Sequence, residues 1–274
     1  MSSRIELQGV RQVFRVRNDH DKQLRDFVAL DDVDLVIAPG ELLALVGPSG
    51  CGKSTVLDLV SGLTTPSAGT VLADGVPITE PGLDRSVVFQ QYTLLPWRTA
   101  SGNVELALEA KGGMNRAERR ERAAEVLELV GLTEFASRYP HELSGGMKQR
   151  VAIARSLSYG PEVLLMDEPF GALDAQTRER LQEELVQIWQ RTGTTIVFIT
   201  HDIEEAVFLG QRVAVMSARP GRIKAIVDIR LDRSGAADED LRSTQAFAAY
   251  RHEIWSLLRQ ATRRAQLEEV ERVA

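Results

Sequence analysis

The chain has 274 residues, 43% of them hydrophobic and 26% charged, which is ordinary globular composition with room for a sizeable core and one or two domains. Its 33 Lys+Arg stand against 39 Asp+Glu, a formal charge of −6, and this argues against a dedicated nucleic-acid binder, which carries a basic face. The single cysteine, Cys51, excludes an intrachain disulfide, and no apolar run approaches the roughly 20 residues of a spanning helix. The start, "MSSRIELQGV", has no apolar signal core. The expectation is a cytosolic protein whose membrane role, if it has one, runs through a partner.

In chain order, "VDLVI" alternates Val33, Leu35 and Ile37 as a half-buried strand does. "ELLALVG" is a continuous apolar run of strand length ending at Gly47, the pattern of a strand covered on both faces. "TVLADGVPI" reads as a hairpin turning at Asp74-Gly75. "NRAERRERAAEVLELVGL" predicts a helix with a charged start and an apolar end. "VLLMDEP" and "TIVFITHD" are further buried strands, each ending in polar residues. Between them Leu181, Leu185, Ile188 and Trp189 recur at helical spacing, with Asp174 placed as an N-cap. Asp202 and Glu205 form an Asp-x-x-Glu start for the next helix. Strands alternating with helices imply an α/β fold. The stretch from about Arg98 to Tyr159 shows no strand pattern and reads as a helical insert. From Ser243 onward, Phe247, Tyr250, Ile254, Leu257 and Leu258 fall at the spacing of an amphipathic helix.

Three motifs carry chemistry. "GPSGCGKST", Gly47, Pro48, Ser49, Gly50, Cys51, Gly52, Lys53, Ser54 and Thr55, matches G-x-x-x-x-G-K-[ST] between a buried strand and a helix, the context that gives the pattern meaning. Glycines let the backbone curl its N–H groups towards phosphate oxygens, and the helix start adds its positive end. Lys53 supplies charge for the outer phosphates, and Ser54 offers a hydroxyl to Mg²⁺. Cys51 within this loop is a small tolerated side chain; a sharper expectation is that alkylating it blocks nucleotide.

The second motif is the acidic strand end. Asp167 and Glu168 are adjacent, and strand alternation sends them to different sides. Asp167 fits a metal partner and Glu168 a general base or a group orienting the attacking water. His201 closes another buried strand, at the kind of strand end where ligands collect in open α/β sheets. The third motif, "HELSGGMKQR", His141–Arg150, is too polar for a core strand and lies far from the phosphate loop.

Together these motifs resemble the ATP-binding cassette (ABC) family over the chain from Arg4 to about Ile229. "LSGGMKQR" is similar to the family's signature, with Met147 where glutamine is usual. "VVFQ" places Gln90 at its Q-loop, "GALD" places Asp174 at its D-loop, and His201 resembles its switch histidine. The resemblance implies a P-loop NTPase core with an antiparallel β subdomain and a helical signature subdomain. It implies a nucleotide-binding domain over residues 1–230, with the helical subdomain at about 98–159, and a C-terminal helical extension over 231–274.

It also implies roles. Two copies face head to tail, so that Ser144, Gly145 and Gly146 of one hold the γ-phosphate of ATP on the other's phosphate loop. Glu168 is the catalytic carboxylate, with His201 and Gln90 beside it. Ser54, Gln90 and Asp167 hold Mg²⁺, and Asp174 communicates across the dimer. An upstream aromatic stacks on adenine, Phe14 first and Phe27 second.

"DRSVVFQQYTLLPWRTASGNVELAL", "MDEPFGALDAQTR" and "THDIEEAVFLGQRVAVMSARPGRI" look like the nitrate/sulfonate/taurine importer group. That resemblance implies a peripheral ATPase on the cytoplasmic face of the cell membrane, with transmembrane permease subunits and, through them, a solute-binding protein as partners. Leu94, Leu95, Pro96 and Trp97 would form part of the permease-facing surface. A sulfonate such as taurine or an alkanesulfonate is the first expectation for the solute. Nitrate, cyanate, bicarbonate or another small nutrient is the alternative. A DNA-associated ABC ATPase is the alternative of another class, although no nucleic-acid partner is expected.

Overall fold

The computed structural model describes residues 2–17, 24–231 and 241–273, with side chains described as far as Ala261. In chain order the elements are β1 (Ile5–Arg17), β2 (Leu24–Ile37), β3 (Leu42–Val46), α1 (Lys53–Ser61), β4 (Ala68–Ala73), β5 (Val76–Pro77) and β6 (Arg85–Val88). There follow α2 (Ala100–Lys111), α3 (Arg116–Leu129), α4 (Gly145–Leu157), β7 (Val163–Asp167), α5 (Ala175–Thr192), β8 (Thr195–Thr200), α6 (Ile203–Leu209), β9 (Arg212–Met216), β10 (Ile223–Asp228) and α7 (Gln245–Val273). They divide into a central unit, Gly82–Ile196, and a terminal unit, Ser3–Pro81 with Val197–Ala274.

In the terminal unit the antiparallel sheet runs β2-β1-β4-β5. The alternation expected at the end of β2 is present: Val33, Leu35 and Ile37 are buried, and Asp34 and Val36 between them are exposed. The hairpin turns at Asp74-Gly75, pairing Ala73 with Val76. A second row of strands runs β10-β9-β3 and on to the last residues of β8. There β3 pairs parallel with β9, Leu43 opposite Arg212 and Val46 opposite Val215. All five residues of β3 are buried, as a strand covered on both faces requires. The helix α7 packs on α6 and β9, burying Phe247 and Ile254 along one stripe. Tyr250 on that stripe accepts the Arg230 backbone N–H at 3.2 Å. The predicted extension also covers 232–240, which lie outside the described residues.

In the central unit β6 and β7 pair in parallel, Arg85 opposite Val163 and Val88 opposite Met166, and the row continues to the first residues of β8. The stretch 98–159 is helical and turn-rich, without a strand. The start of α3 is fixed by Asn115, which accepts from Ala117 and Glu118 N–H, while Glu118 accepts the Asn115 N–H at 2.7 Å. This reciprocal cap stabilises a charged first turn that has little apolar surface to hold it. Asp174 caps α5, as expected, by accepting the Thr177 N–H at 3.0 Å.

One expected cap takes a different form. Asp202 accepts from the N–H groups of Glu204 and Glu205, but its own N–H donates to Thr200 Oγ1 at 2.9 Å. That hydroxyl donates in turn to the buried Glu205 carboxylate at 2.5 Å. A threonine hydroxyl, able both to donate and to accept, relays what a direct Asp-x-x-Glu box would make.

Candidate functional site: a phosphate loop and an acidic strand end

The terminal unit holds the phosphate loop. It leaves the buried end of β3 at Gly47 and enters α1 at Lys53. Lys53 is only 8% exposed, with its ammonium folded back to donate to the Gly47 carbonyl at 2.9 Å and the Pro48 carbonyl at 3.3 Å. A cation held on the loop's own carbonyls sits ready for a better acceptor, such as a polyphosphate. The first turn of α1 has no side-chain cap; Gly52 stands at the N-cap. Its N–H groups and positive end suit an anion. Ser54 is exposed on that turn.

Cys51 is fully buried, and burial pushes its thiol pKa up against the opposing pull of Lys53 and Arg219. A thiol that is both buried and protonated is inert. Alkylation of Cys51 therefore requires the loop to open first. The two candidate aromatics, Phe14 and Phe27, are direct cross-strand partners on β1 and β2. Phe14 is 37% exposed. Phe27 is half-buried and lies under the Arg219 guanidinium, 5.1 Å from ring centroid to Cζ. His201 is exposed just past β8 and shares a cavity with Glu204, Arg251, His252 and Trp255. Across it Arg251 pairs with Glu204 at 2.8 Å, tying α7 to the start of α6.

The central unit holds the acidic strand end. β7 stops at Asp167, and Glu168 follows with φ 44, in the left-handed region. The expected strand alternation therefore does not extend to Glu168. A backbone reversal, strained for a residue with a Cβ, sets its direction instead. Such strain concentrates where a side chain must be aimed. Gln90 is exposed two residues beyond the end of β6. Gly171 brings Glu168 and Gln90 together: a Cβ there would lie 3.5 Å from Gln90 Nε2 and 3.9 Å from Glu168 Cβ.

The loop after Gln90 is locked by residues that sequence reading passed over. Buried Asn103 accepts the Leu95 N–H and donates to the carbonyls of Leu95, Arg98 and Thr99. Arg155 on α4 donates to the Thr93 carbonyl and hydroxyl at 2.7 Å each and to the Tyr92 carbonyl at 3.3 Å. Burial lowers the Arg155 pKa. Trp97 stands on this fixed loop with 70% of its surface exposed, so it is no core tryptophan.

Ser144 is the N-cap of α4, and its Oγ accepts the Met147 N–H at 3.3 Å. Its own O–H remains a donor at the helix start. Gly145 and Gly146 open the helix. The resemblance assigns these glycines to close approach of a partner's nucleotide. Gly146 has an additional reason within the chain, since a Cβ there would lie 2.7 Å from Thr177 Cγ2 at the start of α5.

A buried strand, a loop that folds a lysine onto its own carbonyls and a helix opening without a side-chain cap make a site suited to phosphate. The family model described as ABC transporter matches residues 30–171, and the chain belongs to that family. Its relatives include the nitrate import ATP-binding protein NrtD of Synechocystis, 51% identical over 236 residues covering 85% of this chain and 88% of that one. The taurine import ATP-binding protein TauB of Rhizobium johnstonii is 51% identical over 233 residues, covering 84% and 88%. Among solved structures the chain is similar to the ATP-binding cassette MJ0796 in a dimeric, post-hydrolysis state bound to ADP and Pi. There the TM-score is 0.70 and the identity 36%, over 82% of this chain and 99% of that one.

Proposed function

We propose that this chain is the ATP-hydrolysing subunit of an importer and works as a head-to-tail pair. The observation that carries the reading is the phosphate loop with Lys53 held on the Gly47 and Pro48 carbonyls. ATP phosphates take over Lys53 and the first N–H groups of α1. Ser144, Gly145 and Gly146 of the second copy close on the γ-phosphate. The similar cassette MJ0796 is dimeric and bound to ADP and Pi, which supports this arrangement.

Ser54, Asp167 and Gln90 supply only oxygen donors, a set that fits a hard cation such as Mg²⁺. When bound, Mg²⁺ neutralises charge on the phosphate oxygens. Glu168 accepts a proton from the attacking water, Gln90 orients that water, and His201 contacts the γ-phosphate. Asp174, at the start of α5, reports across the pair. Phe14 stacks on adenine, with Phe27 its alternative.

Residues 1–230 form the nucleotide-binding domain, with its helical subdomain at about 98–159, and 231–274 form an extension. No helix among the described residues is long and apolar enough to cross a membrane. Membrane work therefore runs through permease subunits received by the loop that displays Trp97, on the cytoplasmic face. A solute-binding protein delivers the cargo. Relatives of equal identity are named for taurine and for nitrate import, which supports a small cargo bearing an oxyanion group. A sulfonate is the first choice and nitrate the second.

Tagged protein purified from its native membrane tests the reading. Recovery of a permease, and of a binding protein that takes sulfonates or nitrate, is the expected result. Recovery of soluble proteins or nucleic acid alone would leave an ATPase without a transport role.

A further inference from the structure

The turn between β9 and β10, Ser217–Arg222, has no part in the roles above, yet it presses on the phosphate loop. Arg219 donates from Nε to the Gly50 carbonyl at 2.8 Å. The same guanidinium covers the Phe27 ring at 5.1 Å. Two residues on, the Gly221 backbone passes so close to Cys51 that a Cβ there would lie 2.0 Å from the Cys51 carbonyl oxygen. The turn is itself held rigid. Gly221 exchanges backbone hydrogen bonds with β2, donating to Ala29 O at 2.9 Å and accepting from Asp31 N at 3.0 Å. Ser217 Oγ donates to the Pro220 carbonyl at 3.1 Å and accepts the Arg222 N–H at 3.0 Å. Arg222 pairs with Asp31.

We propose that this turn is a latch on the phosphate loop and that Arg219 is a positioning residue for the nucleotide. It clamps the loop tip at Gly50 and joins it to the aromatic ribbon of β1 and β2. The physical argument is that the loop's exposed tip, Ser49 and Gly50, has little packing of its own to hold it curled. A charged hydrogen bond to the Gly50 carbonyl supplies that restraint. Stacking on Phe27 fixes the guanidinium that makes it, as a planar fork allows and an ammonium does not. The curled tip is what keeps the N–H groups aimed at phosphate before the nucleotide arrives, so Arg219 acts on affinity through preorganisation.

This inference rests on the reading of Gly47–Thr55 as the nucleotide site, and its test has an arm independent of that reading. The chain's single cysteine sits beside Gly50 and reports directly on whether the tip is closed. In nucleotide-free protein, Arg219→Ala should raise the alkylation rate of Cys51 at least tenfold over wild type. In the same variant the Kd for MgATP, measured by calorimetry, should rise about tenfold, the worth of one charged hydrogen bond. Arg219→Lys should fall between wild type and alanine in both measurements. Should the alanine variant lose its fold, Arg219→Gln carries the same two measurements. Wild-type alkylation rates together with a Kd within twofold of wild type, in a folded variant, would overturn the latch. If wild-type protein itself binds no MgATP, the nucleotide reading fails, while the thiol rates still decide whether Arg219 holds the loop.

Discussion

The phosphate loop and the signature turn are both glycine-rich stretches at the start of a helix, but they are built in different ways. The loop is held within its own unit: Lys53 bonds the loop's carbonyls, Arg219 clasps Gly50, and Cys51 is buried beneath. The signature presents an exposed serine at the cap of α4, with Gly145 between Tyr92 and Leu173, and Gly146 against Thr177. The first stretch has its restraint around it. The second has a rigid base and an open donor. Under the proposed function, the difference is that between a site that receives a ligand and a surface that completes one.

The largest expected effects separate the two jobs of the nucleotide machinery. Replacing Lys53 by alanine removes the cation from the loop, and MgATP binding should weaken by at least about a hundredfold by calorimetry. Glu168→Gln should leave the MgATP Kd near wild type while phosphate release falls by roughly 10²–10⁴. A stable pair should then accumulate in gel filtration with ATP. Equal loss of binding in both variants would erase the distinction between holding and hydrolysing.

The next effect concerns the base under the signature. Gly146→Ala should cost about 1–3 kcal/mol by overpacking against Thr177, read as a lower Tm. Thr177→Ser, which deletes the clashing methyl, should return most of that loss in the double variant. If the double variant is no more stable than Gly146→Ala alone, the in-chain reason for this glycine is wrong. The smallest effect lies away from both regions. Asn115→Ala should cost about 1 kcal/mol through the lost cap of α3, with ATP turnover unchanged.

These contrasts bear on what the sequence made legible. The buried strands β3, β7 and β8, the turn at Asp74-Gly75 and the caps Asp174 and Asp202 rest on local rules of periodicity and hydrogen-bonding capacity, so they could be read directly. So could the phosphate loop, because its lysine, its hydroxyl and its strand–loop–helix frame are contiguous. The signature could be read only through resemblance, since the partner proposed for it lies on another copy.

Arg219, Arg155 and Thr177 escaped because each acts across a long sequence separation on a backbone carbonyl or a glycine, and Asn103 because it serves the nearby but irregular loop at residues 95–99; such pairings have no sequence pattern. The dipeptide Pro220-Gly221 marks a turn, but nothing near it says that the turn reaches Gly50. The left-handed Glu168 escaped for a related reason: strand alternation is a rule for strands, and β7 ends one residue earlier.

The central claim is that one copy's signature completes the other copy's loop, and mixing two disabled proteins tests it most directly. Lys53→Ala keeps the signature and loses the loop; Ser144→Arg keeps the loop and loses the signature. Each alone should release almost no phosphate. Mixed at equal concentration with MgATP, they should regain a substantial part of the wild-type rate, because one intact loop then meets one intact signature. A mixture as silent as its components, or a Ser144→Arg protein as active as wild type, would contradict the account.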